Sequence, residues 1–241
     1  MLKCPQQNFE VRKMLEILYK DKYLCLCRKP AGIPSQPDKT GAVSLLDELR
    51  EELGFAGLVH RLDTPTGGVI MYSASDSATG KLSVLVSDHE AYVKEYLAVS
   101  EGIPEGYTGG EMTMENLLYH DKQRNKTFAV DKKRVGVKSA RLTCRLLAEV
   151  SEPDKEKKKA LWSIRLYTGR THQIRAQFAT RHAPLSGDGK YGGREKRGGL
   201  ALWSYRASFK HPLTGKHISV SSLPDLSAYP WSLFYDILSE L

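Results

Sequence analysis

The sequence predicts an α+β fold, a mixed and mostly antiparallel sheet with flanking helices. Three observations lead there. Short apolar runs are joined by tight turns, as in EILYK-DK-YLCLC and ASFKHP-LTG-KHISV, which makes hairpins the common connection. Few stretches carry helical periodicity, so strands and helices do not alternate as a doubly wound α/β chain requires. No repeat or flexible linker divides the 241 residues, so the chain reads as an N-terminal arm, 1–13, and one domain, 14–241. A 41% hydrophobic content with 12 Tyr, 6 Phe and 3 Trp is enough for a core of that size.

In chain order, EILYK and YLCLC are strands about a turn at Asp21-Lys22, stopped by Lys29-Pro30-Ala31-Gly32. Residues 32–41 are loop. Residues 44–54 form the clearest helix: Ser44 caps it, Asp47 follows three residues on, Leu45, Leu46, Leu49 and Leu53 share a face, and Gly54 closes it. GLVH and GVIMYS are strands flanking a charged loop, and 75–90 is a helix broken near Gly80. In 91–102, Tyr96, Ala98 and Ser100 face one way and Leu97 and Val99 the other, which marks a strand. A Gly-rich loop covers 101–113, and 151–160 is a polar hairpin connection. LWSIRLY is a strand leading to a helical segment at 171–182, and a turn-rich loop follows. The chain ends with a hairpin over ALWSYRASFKHP and KHISVSS and a short helix at 231–238.

Lys and Arg total 36 against 28 acidic residues, a net charge of +8. This favours an anionic partner, nucleic acid before a membrane surface. Residues 121–145 hold nine Lys/Arg and two Asp on expected hairpins; such a run is a solvated face or a phosphate-contacting surface, and its sign bias favours the latter. No run of 18 apolar residues exists, so no membrane span is expected. The four cysteines show no CxxC; Cys25 and Cys27 point to one face of an apolar strand, a buried pair rather than a disulfide. A reducing, cytoplasmic compartment is the simplest reading.

The most informative stretch is VHRLDTPTGGVIMYS, which wedges His60, Arg61 and Asp63 between two strands beside a tight turn. It reads as an active-site loop on a scaffold, or as a surface turn with an inert Arg61–Asp63 bridge. Rival chemistries find no support. His60, Asp63, His172, His182, Asp188, His211 and His217 lack metal-site spacing. There is no phosphate-binding loop, no dinucleotide fingerprint and no G-x-S-x-G, so no cofactor or metal is expected. What remains is Asp63, a lone carboxylate in a chain rich in Arg and aromatic residues, which beside guanidinium groups would stay ionised and could act as a nucleophile.

The chain resembles the RluA-type pseudouridine synthases. His60-Arg61-Leu62-Asp63 with Thr66 and Gly68 looks like their signature, and four further segments fit in order. Arg28-Lys29-Pro30-Ala31-Gly32 matches a Lys-Pro-x-Gly turn, and Lys94-Glu95-Tyr96-Leu97-Ala98 a Lys-x-Tyr-x-Ala strand. Gly169-Arg170-Thr171-His172-Gln173-Ile174-Arg175, through Pro184-Leu185, Gly187-Asp188 and Tyr191-Gly192, matches the longest motif. Ala207, Phe209, His211-Pro212 and Thr214-Gly215 match the last.

The resemblance implies a catalytic fold with a central cleft and an enzyme that isomerises uridine in structured ribosomal or transfer RNA, without cofactor or metal. It implies that Asp63 is the catalytic aspartate, that Arg61 holds the opened site, and that Tyr96 packs on the base and is the candidate for proton abstraction, or only stacks on uracil. Arg175 pairs with Asp63, and His60 supports the loop. Lys94, Arg170, His172, Lys132, Lys133 and Arg134 complete the RNA-contacting set, and a monomer is expected. Where relatives have Ser, this chain has Gly67. Many relatives carry an N-terminal S4 RNA-binding domain; only residues 1–13 precede the first expected strand here, so that domain is expected to be absent. Two alternatives are a non-enzymatic RNA-binding or ribosome-assembly protein on the same fold, and a metal-dependent RNA hydrolase, which would need clustered carboxylates.

Overall fold

The first hairpin shows how local chemistry fixes the chain. Strands β1 (Glu16–Lys20) and β2 (Leu24–Lys29) pair antiparallel, and Asp21 Oδ1 closes their turn by accepting the Tyr23 and Leu24 amides at 2.7 and 2.9 Å. The computed structural model describes residues 15–39, 41–152 and 158–241. The expected arm and residues 153–157 of the polar connection lie outside them. Helix α1 (Leu45–Leu53) has the expected capping box between Ser44 and Asp47 and a left-handed Gly54 at its end. Strands β3 (Gly57–Leu58) and β4 (Gly67–Ser73) flank the charged loop.

Helix α2 (Asp76–Ser87) runs unbroken through Gly80, against the expected break. A glycine costs a helix about 1 kcal/mol, which burial of Ala78, Leu82, Leu85 and Val86 on the sheet outweighs. Strand β5 (Tyr92–Glu101) follows. Next comes β6 (Glu111–Asp121), of which sequence periodicity shows nothing: most of its residues are exposed or half-buried, and it is held by β7 (Lys126–Val130) on one side and β8 (Val137–Val150) on the other. The remaining elements are β9 (Lys159–Leu166), α3 (Gln173–Thr180), β10 (Leu202–Lys210), β11 (His217–Ser221), a 3-10 turn at Trp231–Phe234 and α4 (Tyr235–Ser239).

The strands form one sheet in the order β1-β2-β4-β10-β5-β9-β8-β6-β7, with β3 on β4 and β11 on β10. Both faces are covered. Tyr96 and Ala98 lie in a core shared with α1 and α3, while Leu97 and Val99 pack with Trp203, Trp231 and Leu238 on the other face. Cys25 and Cys27 are buried and unoxidised on one face, their sulfurs 3.4 Å apart. Among the described residues no helix is long and apolar enough to cross a membrane.

Among the described strands, β4 and β10 form the one parallel pair, registered only at Trp203↔Gly67 and Ser204↔Gly68. At this seam β1-β2-β4 joins the larger antiparallel half. Gly68 has φ +112, and any Cβ there would overlap Ser204; a Cβ on Gly67 would overlap the Trp203 indole. Trp203 cannot easily yield, because its Nε1 donates to Ser222 O at 2.6 Å and Arg28 lies over its ring. Gly67 is thus the residue the indole demands. Gly67→Ser is expected to cost about 1–3 kcal/mol by overpacking, measured by urea denaturation. Trp203→Leu in the same chain should recover part of that loss, and simple additivity of the two losses would contradict this account.

Candidate active site

The loop between β3 and β4 is pinned at several points, and Lys29 joins it to the preceding turn. This lysine is fully buried. Its Nζ donates to Pro30 O, Ile33 O and Thr64 O at 3.0, 2.6 and 3.0 Å, tying the Lys-Pro-x-Gly turn to the Asp63 loop. The Gly32 amide donates to the same Thr64 carbonyl at 2.8 Å. Burial pushes the Lys29 ammonium down to about 8, against the pull of Asp63. Ser35 Oγ both accepts from the Leu62 amide and donates to its carbonyl. His60 Nε2 accepts the Met71 amide at 3.1 Å and the ring packs edge-on to Tyr92. Burial holds His60 well below the usual imidazole range, so it is a neutral support at the base of the cleft.

Asp63 emerges from this loop into a cleft of about 490 Å³. Its Oδ2 lies 3.8 Å from one Arg175 nitrogen and 3.7 Å from His172 Nε2. Arg175 does not depend on Asp63 for its position. Its Nε and second terminal nitrogen each meet Asp188 at 2.7 Å, a buried bidentate pair that aims the third nitrogen at Asp63. The Tyr191 ring lies under the guanidinium, 5.0 Å away.

Tyr191 also holds His172 in place. Its hydroxyl accepts the Thr127 amide at 2.7 Å and lies 3.0 Å from His172 Nδ1. This hydrogen bond engages Nδ1 and holds the ring with Nε2 toward Asp63, 3.7 Å from its Oδ2. Burial, with Arg175 nearby, pushes His172 down to about 3, so the ring is neutral. His172 takes φ 53 at the start of α3, a strained conformation of the kind that clusters at functional sites. Tyr191→Phe keeps the ring under Arg175 but removes this hydrogen bond. It is expected to lower kcat about tenfold with little change in KM, checked by steady-state kinetics; a KM effect alone would argue against an orienting role.

The same cleft is lined by Arg61, Lys94, Tyr96 and Arg170. Arg61 is exposed at the mouth. Lys94 is buried near the Tyr92 ring, and burial pushes it down to about 8. Tyr96 is 7% exposed; burial and then the Asp63 charge push its hydroxyl up, against a hydrogen bond with Ser204. It therefore meets a substrate as a phenol. Arg170 Nε donates to Ser139 O at 2.9 Å. A fifth of the Asp63 side chain faces the cleft, yet burial raises its pKa despite the opposing pull of Arg175, Arg61 and Lys29. The carboxylate is thus harder to ionise than an Asp in water.

The structure brings Asp63, Tyr96, Arg175, Arg61, His60, Lys94, Arg170 and His172 to one cleft. It does not bring Lys132, Lys133 or Arg134 there. They sit exposed on the β7–β8 turn, where Arg134 lies over Tyr119, because a charge run on a hairpin tip has no fold-imposed direction toward a cleft. Sequence reasoning missed Lys29, Asp188 and Tyr191 as site residues. All three stand inside quoted motifs, but their partners are 13 to 35 residues away in the chain.

Known proteins resemble this chain in sequence and in fold. Residues 23–180 match the family model for RNA pseudouridylate synthase. The chain is 31% identical to tRNA pseudouridine synthase C of Pasteurella multocida, over 91% of this chain and 98% of that protein. It is 29% identical to the protein of the same name from Yersinia pestis, over 91% and 92%. Ribosomal large subunit pseudouridine synthase D of Xanthomonas campestris is 31% identical over 86% of this chain and 65% of its own length. The solved structure of human RNA pseudouridylate synthase domain containing 1 shares the fold, with a TM-score of 0.70 at 19% identity over 89% of this chain and 84% of that one. The chain belongs to the RNA pseudouridylate synthase family of enzymes.

Proposed function

We propose that Asp63 is the catalytic carboxylate with which this enzyme converts uridine in structured RNA to pseudouridine, and that transfer RNA is its first substrate class. The observation that carries the reading is the single carboxylate in a nucleoside-sized cleft, ringed by Arg61, Lys94 and Arg175 and walled by Tyr96. The reaction breaks the bond from ribose C1′ to uracil N1 and forms one from C1′ to C5. The hydrogen lost from C5 is matched by one gained at N1, so nothing is oxidised and no group is donated. The Asp63 oxygen assists departure of the base from C1′, and the fixed Arg175 keeps that oxygen in place. Tyr96 offers an aromatic face to the extruded uracil. Arg61 at the mouth fills the space the base vacates, and Lys94 and Arg170 meet phosphates or base carbonyls.

Transfer RNA is favoured because the relatives matched nearly end to end from Yersinia pestis and Pasteurella multocida carry it in their names. The free, buried thiols of Cys25, Cys27 and Cys144 support placing the enzyme in the reducing cytoplasm. The test is to map pseudouridines in transfer and ribosomal RNA from cells with and without the protein. Loss of one or a few transfer-RNA sites is expected. Loss confined to ribosomal RNA would overturn the substrate class; no changed site, with no conversion of total RNA by purified protein, would overturn the activity.

A further inference from the structure

A second cavity opens beside the catalytic cleft, and the two share Gly169, Arg170 and Thr171. It lies against β6 and the β7–β8 turn and has a volume of about 760 Å³. Its walls combine two kinds of group. Lys122, Lys138 and Arg170 bring positive charge; neither lysine has an ion-pair partner among the described residues. The one carboxylate, Asp121, already accepts the Gln123 and Arg124 amides and lies 3.7 Å from the Arg124 side chain. Tyr119 and His120 bring aromatic rings, both half-buried, with the Arg134 guanidinium over one face of Tyr119, 4.9 Å from its centroid. Gly136 has φ +83 and a Cβ there would touch the Tyr119 ring, so its bare backbone keeps that ring edge open.

We propose that this cavity is a subsite for a nucleotide next to the modified uridine, with its base against Tyr119 and its phosphates on Lys138, Lys122 and Arg170. Rings flanked by unpaired cations are the elements that hold single-stranded nucleic acid. Arg170 forms the divide between the two cavities and is tethered through Nε to Ser139 O, which leaves its outer nitrogens for a phosphate between adjacent nucleotides. The cavity floor is also joined to the catalytic loop. Thr127 Oγ1 donates to Thr171 O at 2.8 Å and lies 3.1 Å from His120 Nδ1, and the His120 ring meets His172 edge-on. A nucleotide seated here would therefore brace the residue that faces Asp63. The assignment rests on the cleft being the uridine site.

The test uses the full chain and 5′-fluorescein-labelled oligouridylates of one, two, three and five nucleotides, read by fluorescence anisotropy. In the wild type, affinity should rise steeply once a second or third nucleotide is present. Tyr119→Ala should remove about tenfold of that gain. Lys138→Gln, on an exposed side chain that cannot unfold the protein, should weaken pentauridylate binding and reduce the slope of log affinity against log salt by about 0.7. Both variants should bind the mononucleotide as the wild type does. Unchanged pentauridylate binding in Lys138→Gln, or a wild type that gains nothing with length, overturns the subsite. Because binding is read without turnover, a failure here is separable from a failure of the uridine-isomerising reading, which the RNA mapping decides.

Discussion

Asp63→Asn is expected to abolish pseudouridine formation, lowering kcat/KM by more than about 10³-fold, while RNA affinity stays within about twofold. Asparagine keeps the shape of the side chain but lacks the charge and basic oxygen that help the base leave C1′. The same substitution is expected to raise the melting temperature. Burial lifts the Asp63 pKa in the fold above its unfolded value, so the native state holds its proton over a pH window where the unfolded chain has released it. Stability from this group therefore falls as pH rises through the window, and above it the ionised carboxylate is a standing cost that asparagine lacks. The wild type should also lose activity on acidification at a pH above the ordinary carboxylate range. A calorimetric scan paired with a pseudouridine assay reads both effects. Retained activity would remove Asp63 from its role, and a lower melting temperature would refute the electrostatic account.

Asp188→Asn is expected to be nearly as damaging by a different route. Asp188 is almost wholly buried and holds Arg175 through two short hydrogen bonds. Removing its charge leaves the guanidinium buried, with only Asp63 as a counter-charge, 3.8 Å away. Breaking such a pair costs about 3–5 kcal/mol, roughly 10 °C in melting temperature for a chain of this size. Activity should fall as well, because Arg175 loses the anchor that aims it and is drawn toward the reacting carboxylate. Adding Arg175→Met to Asp188→Asn should restore much of the stability and none of the activity, since the unpaired charge, not the missing contact, is the larger loss. If the double variant melts no higher than the single one, the pair is not the source of the cost.

The hairpins, the Ser44–Asp47 capping box and the two-faced strand at Tyr96–Ser100 were legible because each is set by residues within a few positions of one another. The strand at Glu111–Asp121 was not, because it is held from both sides by partners rather than by its own alternation. Gly80 misled for the same reason, since a tertiary surface overrode a local preference. In the site, Asp63, Arg61 and Arg175 could be picked out because short motifs bracket them. The lysine under the loop and the carboxylate behind Arg175 could not be assigned: Lys29 finds Thr64 and Arg175 finds Asp188 only after the chain has folded back. The basic turn at 132–134 shows the converse, a strong compositional signal with no address in space.

The seam between β4 and β10 carries one more consequence. Gly67 and Gly68, which meet Trp203 and Ser204 there, follow directly on the loop that bears Asp63, while Tyr96 stands opposite Ser204 on the next strand. Two halves of the sheet, each with many internal pairings, are thus aligned across two residue pairs, and the proposed catalytic pair spans that alignment. Damage at this join would shift one half against the other without melting either. The product would be a protein of normal secondary structure and solubility whose carboxylate no longer faces its tyrosine, a failure of alignment that bulk folding assays would pass as healthy.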